Sequence, residues 1–120
     1  MDRDEFENVV REALESLPEE FLGRLDNVDI VVESVPAAPQ LAQQGIPEDG
    51  LLLGLYEGVP LTARENYGFN LPDKITIFQE PIEAICRSTA EMIAEIRDTV
   101  IHEVAHHFGL DDDALHELGL

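Results

Sequence analysis

The sequence predicts an α+β protein, and three observations carry that prediction. Residues 2–17 and 88–108 have apolar side chains at three- and four-residue spacing, which is typical of amphipathic helices. Three short segments, 28–35, 51–56 and 74–78, have the apolar and β-branched composition that is typical of strands. The 120 residues contain no internal repeat and no break in composition that would mark a linker, so we expect a single domain over the whole chain.

The chain is strongly acidic, with 26 Asp and Glu against 7 Lys and Arg and a formal net charge of −19. Nucleic acid and anionic membranes are excluded as partners, because binding either normally requires a basic patch. Cys86 is the one cysteine, so no disulfide framework is expected. Because no signal peptide and no apolar run of spanning length are visible, we expect a cytoplasmic protein. The sequence leaves the oligomeric state open, with a monomer as the default expectation.

The first elements are predicted in chain order as a helix, a helical turn, a strand and a loop. The helix over 2–17 ends at Pro18, and a short helical turn covers 19–25. The strand over 28–35 is followed by the segment 36–50, which contains three prolines and two glycines and therefore reads as a loop.

The middle of the chain is predicted to contain two further strands. The strand over 51–56 ends in a turn at 57–60, and 61–73 is irregular because Asn, Gly and Pro interrupt it. The strand over 74–78 leads into a helical turn at 81–85.

The last third begins with a long helix that has start and stop signals. Ser88 and Glu91 match the capping box, and Gly109 stands where a left-handed residue ends a helix of about 20 residues. Three consecutive acids, 111–113, then open a short helix that reaches Leu118.

The long helix contains the motif HExxH at His102, Glu103 and His106. Four residues make slightly more than one helical turn, so the two imidazoles share a face and can hold one zinc ion. Glu103 is offset by about 100° around the helix, which lets it reach an activated water without taking a coordination position. A catalytic zinc site has three protein ligands and a water, so a third ligand is required. The ligand types alone do not separate zinc from nickel or cobalt.

Gly109 and Asp112 extend the motif to HExxHxxGxxD. The glycine lets the chain turn back sharply, which brings Asp112 towards the ion. Other assignments stay open: Asp112 could cap the last helix, with Asp111 or Asp113 as the ligand, and His116 could be a ligand, an outer partner or a surface residue.

Four further side chains have reactive chemistry without a motif. His107 points away from the metal-binding face of the helix, so we expect a packing or surface role. Cys86 is expected to be a small buried hydrophobic residue. Tyr56 and Tyr67 could stabilise an oxyanion, although a core or surface role is the simpler expectation for each.

The segment HEVAHHFGLDDDALHELG resembles the metal site of the zincin metallopeptidases in their aspartate-ligand form. Together with LLLGLYEGVP and LPDKITIF, it resembles the small bacterial minimal zincin metallopeptidases. The resemblance implies that His102, His106 and Asp112 bind one zinc ion and that Glu103 is the general base. It also implies a small sheet of three to four strands over the long active-site helix, with an edge strand along a substrate cleft, an N-terminal helix and a short C-terminal helix.

These features together predict a cytoplasmic zinc metallopeptidase that acts on a peptide or protein substrate. The alternative is a catalytically weak or inactive zincin-like module that binds metal or peptide. It is motivated by the eight residues after Asp112, which lack the methionine turn of the larger metzincins. A metal-dependent ribonuclease is disfavoured by Glu103 and by the net charge of −19.

Overall fold

The computed structural model describes residues 1–59 and 71–120, in which six α-helices pack around a small mixed sheet. The helices are α1 (Arg3–Glu15), α2 (Glu19–Leu22), α3 (Ala38–Gln43), α4 (Gln79–Ile85), α5 (Thr89–Phe108) and α6 (Asp112–Glu117), with a 3₁₀ turn at Gly23–Leu25. The strands are β1 (Val28–Glu33), β2 (Gly54–Glu57) and β3 (Asp73–Phe78). The predicted α+β class is confirmed. No helix in the described ranges combines the length and the hydropathy needed to cross a bilayer.

The sheet has the order β1–β3–β2, with β3 in the centre. β1 pairs with β3 in parallel, and β2 pairs with β3 in the antiparallel direction. In this register Ile75 lies between Ile30 on one side and Tyr56 on the other. β2 therefore forms one edge of the described sheet, on the side that approaches α5.

The hydrophobic core lies between one face of the sheet and the helices α1 and α5. Ile75 and Ile77 of β3 are fully buried in it, as are Ile96, Val100 and Val104 of α5. α1 contributes its apolar stripe, of which the buried members are Phe6, Val9, Val10 and Ala13. Burying these two helical stripes in one core fixes which face of α5 remains accessible.

The N-terminal helix begins and ends close to its predicted bounds. The Asp2 carboxylate accepts a hydrogen bond of 2.8 Å from the backbone N–H of Glu5 and so caps the helix. The same bond holds the pKa of Asp2 below its ordinary value, because the carboxylate is the form that accepts it.

The predicted loop over 36–50 is wrong in part, because α3 lies within it. Pro39 occupies the first turn of this helix, where its missing N–H costs nothing. The Gln40 side chain accepts a hydrogen bond of 2.8 Å from the N–H of Ala37, and Leu41 is buried. One buried leucine and a capped first turn thus allow a short helix where the prolines alone suggested a loop.

The second strand is shorter than the predicted 51–56 and is displaced towards the C-terminus. Pairing begins where the N–H of Phe78 donates to the carbonyl oxygen of Leu53 at 3.0 Å, while Leu51 and Leu52 belong to the wall of a cleft. Part of the predicted turn at 57–60 and most of the predicted irregular segment over 61–73 fall on residues 60–70, which lie outside the described residues.

Candidate functional site

α5 has the capped ends that the sequence predicts. At its start the Ser88 hydroxyl oxygen accepts a hydrogen bond of 3.1 Å from the Glu91 N–H, and the Glu91 carboxylate accepts one of 2.9 Å from the Arg87 N–H. At its end Gly109 is left-handed with φ of 65°, and the next residue, Leu110, donates to the Ala105 carbonyl at 2.8 Å. These caps fix the register of the helix, and with it the positions of the motif side chains.

The HExxH side chains emerge on the accessible side of α5. Val100 and Val104 are fully buried in the core, so they set the rotation of the helix. On the other side His102 and His106 are exposed, and Glu103 is half-buried. The burial of the aliphatic stripe is therefore what presents the two imidazoles together.

A cleft of about 530 Å³ runs between α5 and the segment that leads into β2. Residues 51–54 form one wall, with Gln44 and Ile46 beside them. The helix contributes the side chains of Glu95, Asp98, Thr99, His102, Glu103 and His106. All three motif residues thus line one cavity that is bounded by an edge strand.

Glu103 is held at the boundary between the helix and that strand. Its Oε1 accepts a hydrogen bond of 3.0 Å from the backbone N–H of Tyr56 in β2. This bond gives the carboxylate one fixed main-chain partner. A carboxylate has a second oxygen, so the contact leaves Glu103 able to accept a proton.

A second hollow of about 590 Å³ lies on the other side of the two histidines. His102, His106, Asp98 and Asp112 line it together with apolar residues of α5 and α6. The left-handed Gly109 turns the chain so that α6 flanks this hollow. The structure therefore brings Asp112 to the same hollow as the two histidines.

The three neighbouring acids are now distinguishable. Asp111 is the N-cap of α6, because its Oδ1 accepts a hydrogen bond of 2.9 Å from the Ala114 N–H. Asp112 is the first residue of the helix, so the alternative that made Asp112 the cap is wrong. Asp112 is as exposed as Asp111, Asp113 and His116, but Asp112 lines the second hollow and the other three line neither hollow.

Within residues 1–59 and 71–120, no three His, Cys, Asp or Glu side chains are grouped closely enough to hold a metal ion. Ligation by His102, His106 and Asp112 therefore stays a prediction. The donor set itself fits zinc, because two imidazoles one helical turn apart and a nearby carboxylate are among its preferred ligands.

An aromatic cluster beside the motif was not predicted. The rings of Tyr56 and His107 are stacked, with centroids 3.9 Å apart and an interplanar angle of 18°, and Phe108 meets the tyrosine edge-on at 5.9 Å. The Tyr56 hydroxyl donates to Oδ2 of Asp73 at 2.7 Å. His107 is exposed and packs on Tyr56, which agrees with the packing or surface role expected for it. The sequence indicates for Tyr56 only that it lies in a strand. Tyr67 lies outside the described residues.

Comparison with known proteins extends these observations. A solved structure of a conserved hypothetical protein from T. thermophilus superposes with a TM-score of 0.57 at 21% sequence identity, over 90% of this chain and 94% of that one. That likeness shows a shared fold. No curated protein matches significantly. The zincin-like metallopeptidase family matches residues 25–120, a range that holds the whole described sheet, the HExxH helix and α6. This chain therefore belongs to the zincin-like metallopeptidase family.

Proposed function

We propose that this protein is a zinc-dependent peptidase in which Glu103 is the general base and His102, His106 and Asp112 hold one zinc ion. Membership of the zincin-like family supports a metallopeptidase-type function. The observation that carries the proposal is that the HExxH side chains line a cleft whose opposite wall leads into an edge strand.

The chemistry follows from the side chains that meet in the cleft. A bound zinc ion would polarise the scissile carbonyl and activate the attacking water. Glu103 would accept the proton of that water and then deliver it to the leaving amine. Because Glu103 is half-buried and is held by the Tyr56 N–H, its carboxylate is positioned before the substrate arrives.

The substrate would be an extended peptide that lies along residues 51–54, which form one wall of the cleft. An edge strand offers backbone donors and acceptors to such a peptide, which gives affinity without demanding a particular sequence. The described residues that line the cleft include Glu95, Asp98 and Glu103 but no Lys or Arg. The local charge therefore favours peptides that carry cationic side chains.

The decisive experiment compares peptide turnover by the zinc-loaded wild type, Glu103→Gln and Glu12→Gln. Glu12 is an exposed carboxylate on α1 and provides a matched loss of charge outside the cleft. We expect Glu103→Gln to lower kcat by about 10²-fold or more, which is the ordinary contribution of a general base, and Glu12→Gln to leave kcat unchanged.

Metal analysis of the same three proteins completes the test. Glu103→Gln should keep the wild-type zinc content, since the proposal gives Glu103 no ligand role. Equal turnover by the wild type and Glu103→Gln would overturn the mechanism. Stoichiometric zinc without turnover of any peptide would instead favour the binding-module alternative.

A further inference from the structure

The geometry points to Tyr56 as a positioning residue that fixes the carboxylate of Glu103 through its main-chain N–H, with its own ring anchored by Asp73 and His107. The inference rests on the proposed function in one respect, namely the role of Glu103 as the general base. The contact itself is a property of the folded chain.

The direction of the Tyr56 N–H follows from the strand register. The Leu53 carbonyl accepts a hydrogen bond from Phe78 of β3, and Tyr56 lies three residues further along the same edge. Because backbone groups alternate in direction along an antiparallel strand, the amide of Tyr56 points away from β3. It points towards α5, where it donates to Glu103 across a sequence separation of 47 residues.

The side chain of Tyr56 is held at two points that belong to different elements. Its hydroxyl donates to Oδ2 of Asp73 at the start of β3, and the other oxygen of Asp73 accepts a hydrogen bond of 2.9 Å from the Val59 N–H. Its ring stacks on His107, which directly follows the motif histidine His106 in α5. Sheet and helix are thus joined through one residue.

These contacts restrict how β2 can move against α5 and against β3. A shift of β2 along α5 would lose the ring stack on His107 and take the amide away from Glu103, and a shift against β3 would lose the bond between the phenol and Asp73. A general base needs a narrow range of positions, because a misplacement of about 1 Å can cost about 10²-fold in rate. The phenol, which donates its hydrogen bond to Asp73, therefore supports the reaction through Glu103.

The first test needs neither metal nor turnover. Hydrogen exchange of individual amides by NMR should show that Glu103→Ala accelerates exchange at Tyr56 by about 10-fold or more, since its acceptor is removed. The amide of Leu55, one residue earlier in β2, should change by less than about 2-fold. Glu95→Ala, which removes another carboxylate from the same helix and cleft, should leave Tyr56 unchanged. Unaltered exchange at Tyr56 in Glu103→Ala would overturn the proposal.

The second test concerns the hydrogen bond between the Tyr56 hydroxyl and Asp73 and uses the zinc-loaded protein. Tyr56→Phe keeps the stack on His107 and removes the bond to Asp73, so it should fold. We expect faster exchange at residue 56 and a loss in kcat of about 3- to 10-fold with unchanged KM, because orientation of the base affects the chemical step. Tyr56→Leu should lose more, and both variants should bind zinc as the wild type does.

The outcomes separate the two proposals. If Tyr56→Phe changed neither the amide exchange at residue 56 nor kcat, the bond between Tyr56 and Asp73 would not help to position Glu103. A rise in KM at constant kcat would show that Tyr56 acts in substrate binding and not in positioning Glu103. If the wild type turns over no peptide, the proposed function fails, while the exchange data still decide whether Tyr56 fixes Glu103.

Discussion

Gly54 of β2 and Thr99 of α5 are in such close contact that a Cβ atom on residue 54 would lie 2.6 Å from Cγ2 of Thr99. The same Cβ would lie 3.1 Å from the carbonyl oxygen of Thr76. Gly54 is therefore what allows the edge strand to lie directly on the HExxH helix. We expect Gly54→Ala to lower the free energy of unfolding by about 1–3 kcal/mol, as overpacking commonly does, measured by urea unfolding.

A second substitution identifies the steric cause of that loss. Thr99→Ser removes Cγ2 but keeps the hydroxyl that donates to the Glu95 carbonyl oxygen at 2.8 Å. The double variant Gly54→Ala/Thr99→Ser should regain part of the lost stability, and only part, because the contact with the Thr76 carbonyl remains. A Gly54→Ala protein as stable as the wild type would contradict the close contact.

Asp112 and Asp113 provide a matched pair for the third zinc ligand. Asp112→Asn should weaken zinc binding by at least about 10-fold, measured by competition with a chelating dye, because even outer partners of a metal site contribute that much. Asp113→Asn makes the same change of charge at a residue outside both hollows and should leave the affinity within about 2-fold of the wild type.

Thermal unfolding gives an independent readout of the same pair. At a free zinc concentration of about 100 times the Kd, the wild type should gain about 2.7 kcal/mol of stability and a higher Tm. Asp112→Asn should need more zinc for the same rise. If Asp112→Asn and Asp113→Asn gained the same stability from the same zinc concentration, Asp112 would not be a ligand.

The acidic cleft predicts a preference for cationic peptides. Between peptides that differ only in Lys against Gln, we expect kcat/KM to favour the Lys peptide by about 3- to 10-fold at low salt, because each exposed charge pair contributes about 1 kcal/mol or less. The preference should shrink as the ionic strength rises.

Two double variants test where the preference arises. Glu95→Gln/Asp98→Asn removes two cleft charges, and Glu19→Gln/Glu20→Gln removes two exposed charges from α2. Only Glu95→Gln/Asp98→Asn should abolish the preference for the Lys peptide. An equal loss in both double variants would show that the preference arises from the net charge of the whole protein.

Cys86 is half-buried, and desolvation raises the pKa of its thiol above the ordinary value, with the negative charges of Glu95 and Glu91 acting in the same direction. The folded thiol therefore keeps its proton to a higher pH than the unfolded one. Its contribution to stability is complete below the unfolded pKa of about 8.5 and is lost as the pH rises past that value.

Alkylation and unfolding measurements check this prediction. Iodoacetamide should modify Cys86 more slowly in the native protein than in urea at the same pH. Between about pH 8 and 10, set around the ordinary thiol pKa, the wild type should lose more stability than Cys86→Ala. Equal alkylation rates in the two states would contradict a raised pKa.

Features set by local interactions were the ones that the sequence predicted well. α5 was predicted with both ends because Ser88 and Gly109 act on their own backbone neighbours. The two histidines were placed on one face by helical geometry alone. The sequence does not predict α3, because the helix is stabilised by the burial of Leu41, which is a tertiary effect, while the prolines favour a loop.

The contact between Tyr56 and Glu103 could not be predicted for a different reason. Its donor is a backbone N–H, which every residue except proline carries, so it leaves no trace in the sequence. Its geometry depends on strand register and on the close approach at Gly54, both of which arise only in the assembled fold. The motif predicts that Asp112 lies near His102 and His106, but the sequence does not give the distances between the three side chains.

The strand order β1–β3–β2 has a consequence for how the chain is made. Both outer strands pair with β3, which follows them in the sequence, so during synthesis neither has its partner until residues 73–78 have left the ribosome. α5, which covers the sheet, emerges later still. The sheet and its covering helix can therefore assemble only after α5 has been synthesised, and β1 lacks its partner strand while about 40 further residues are made.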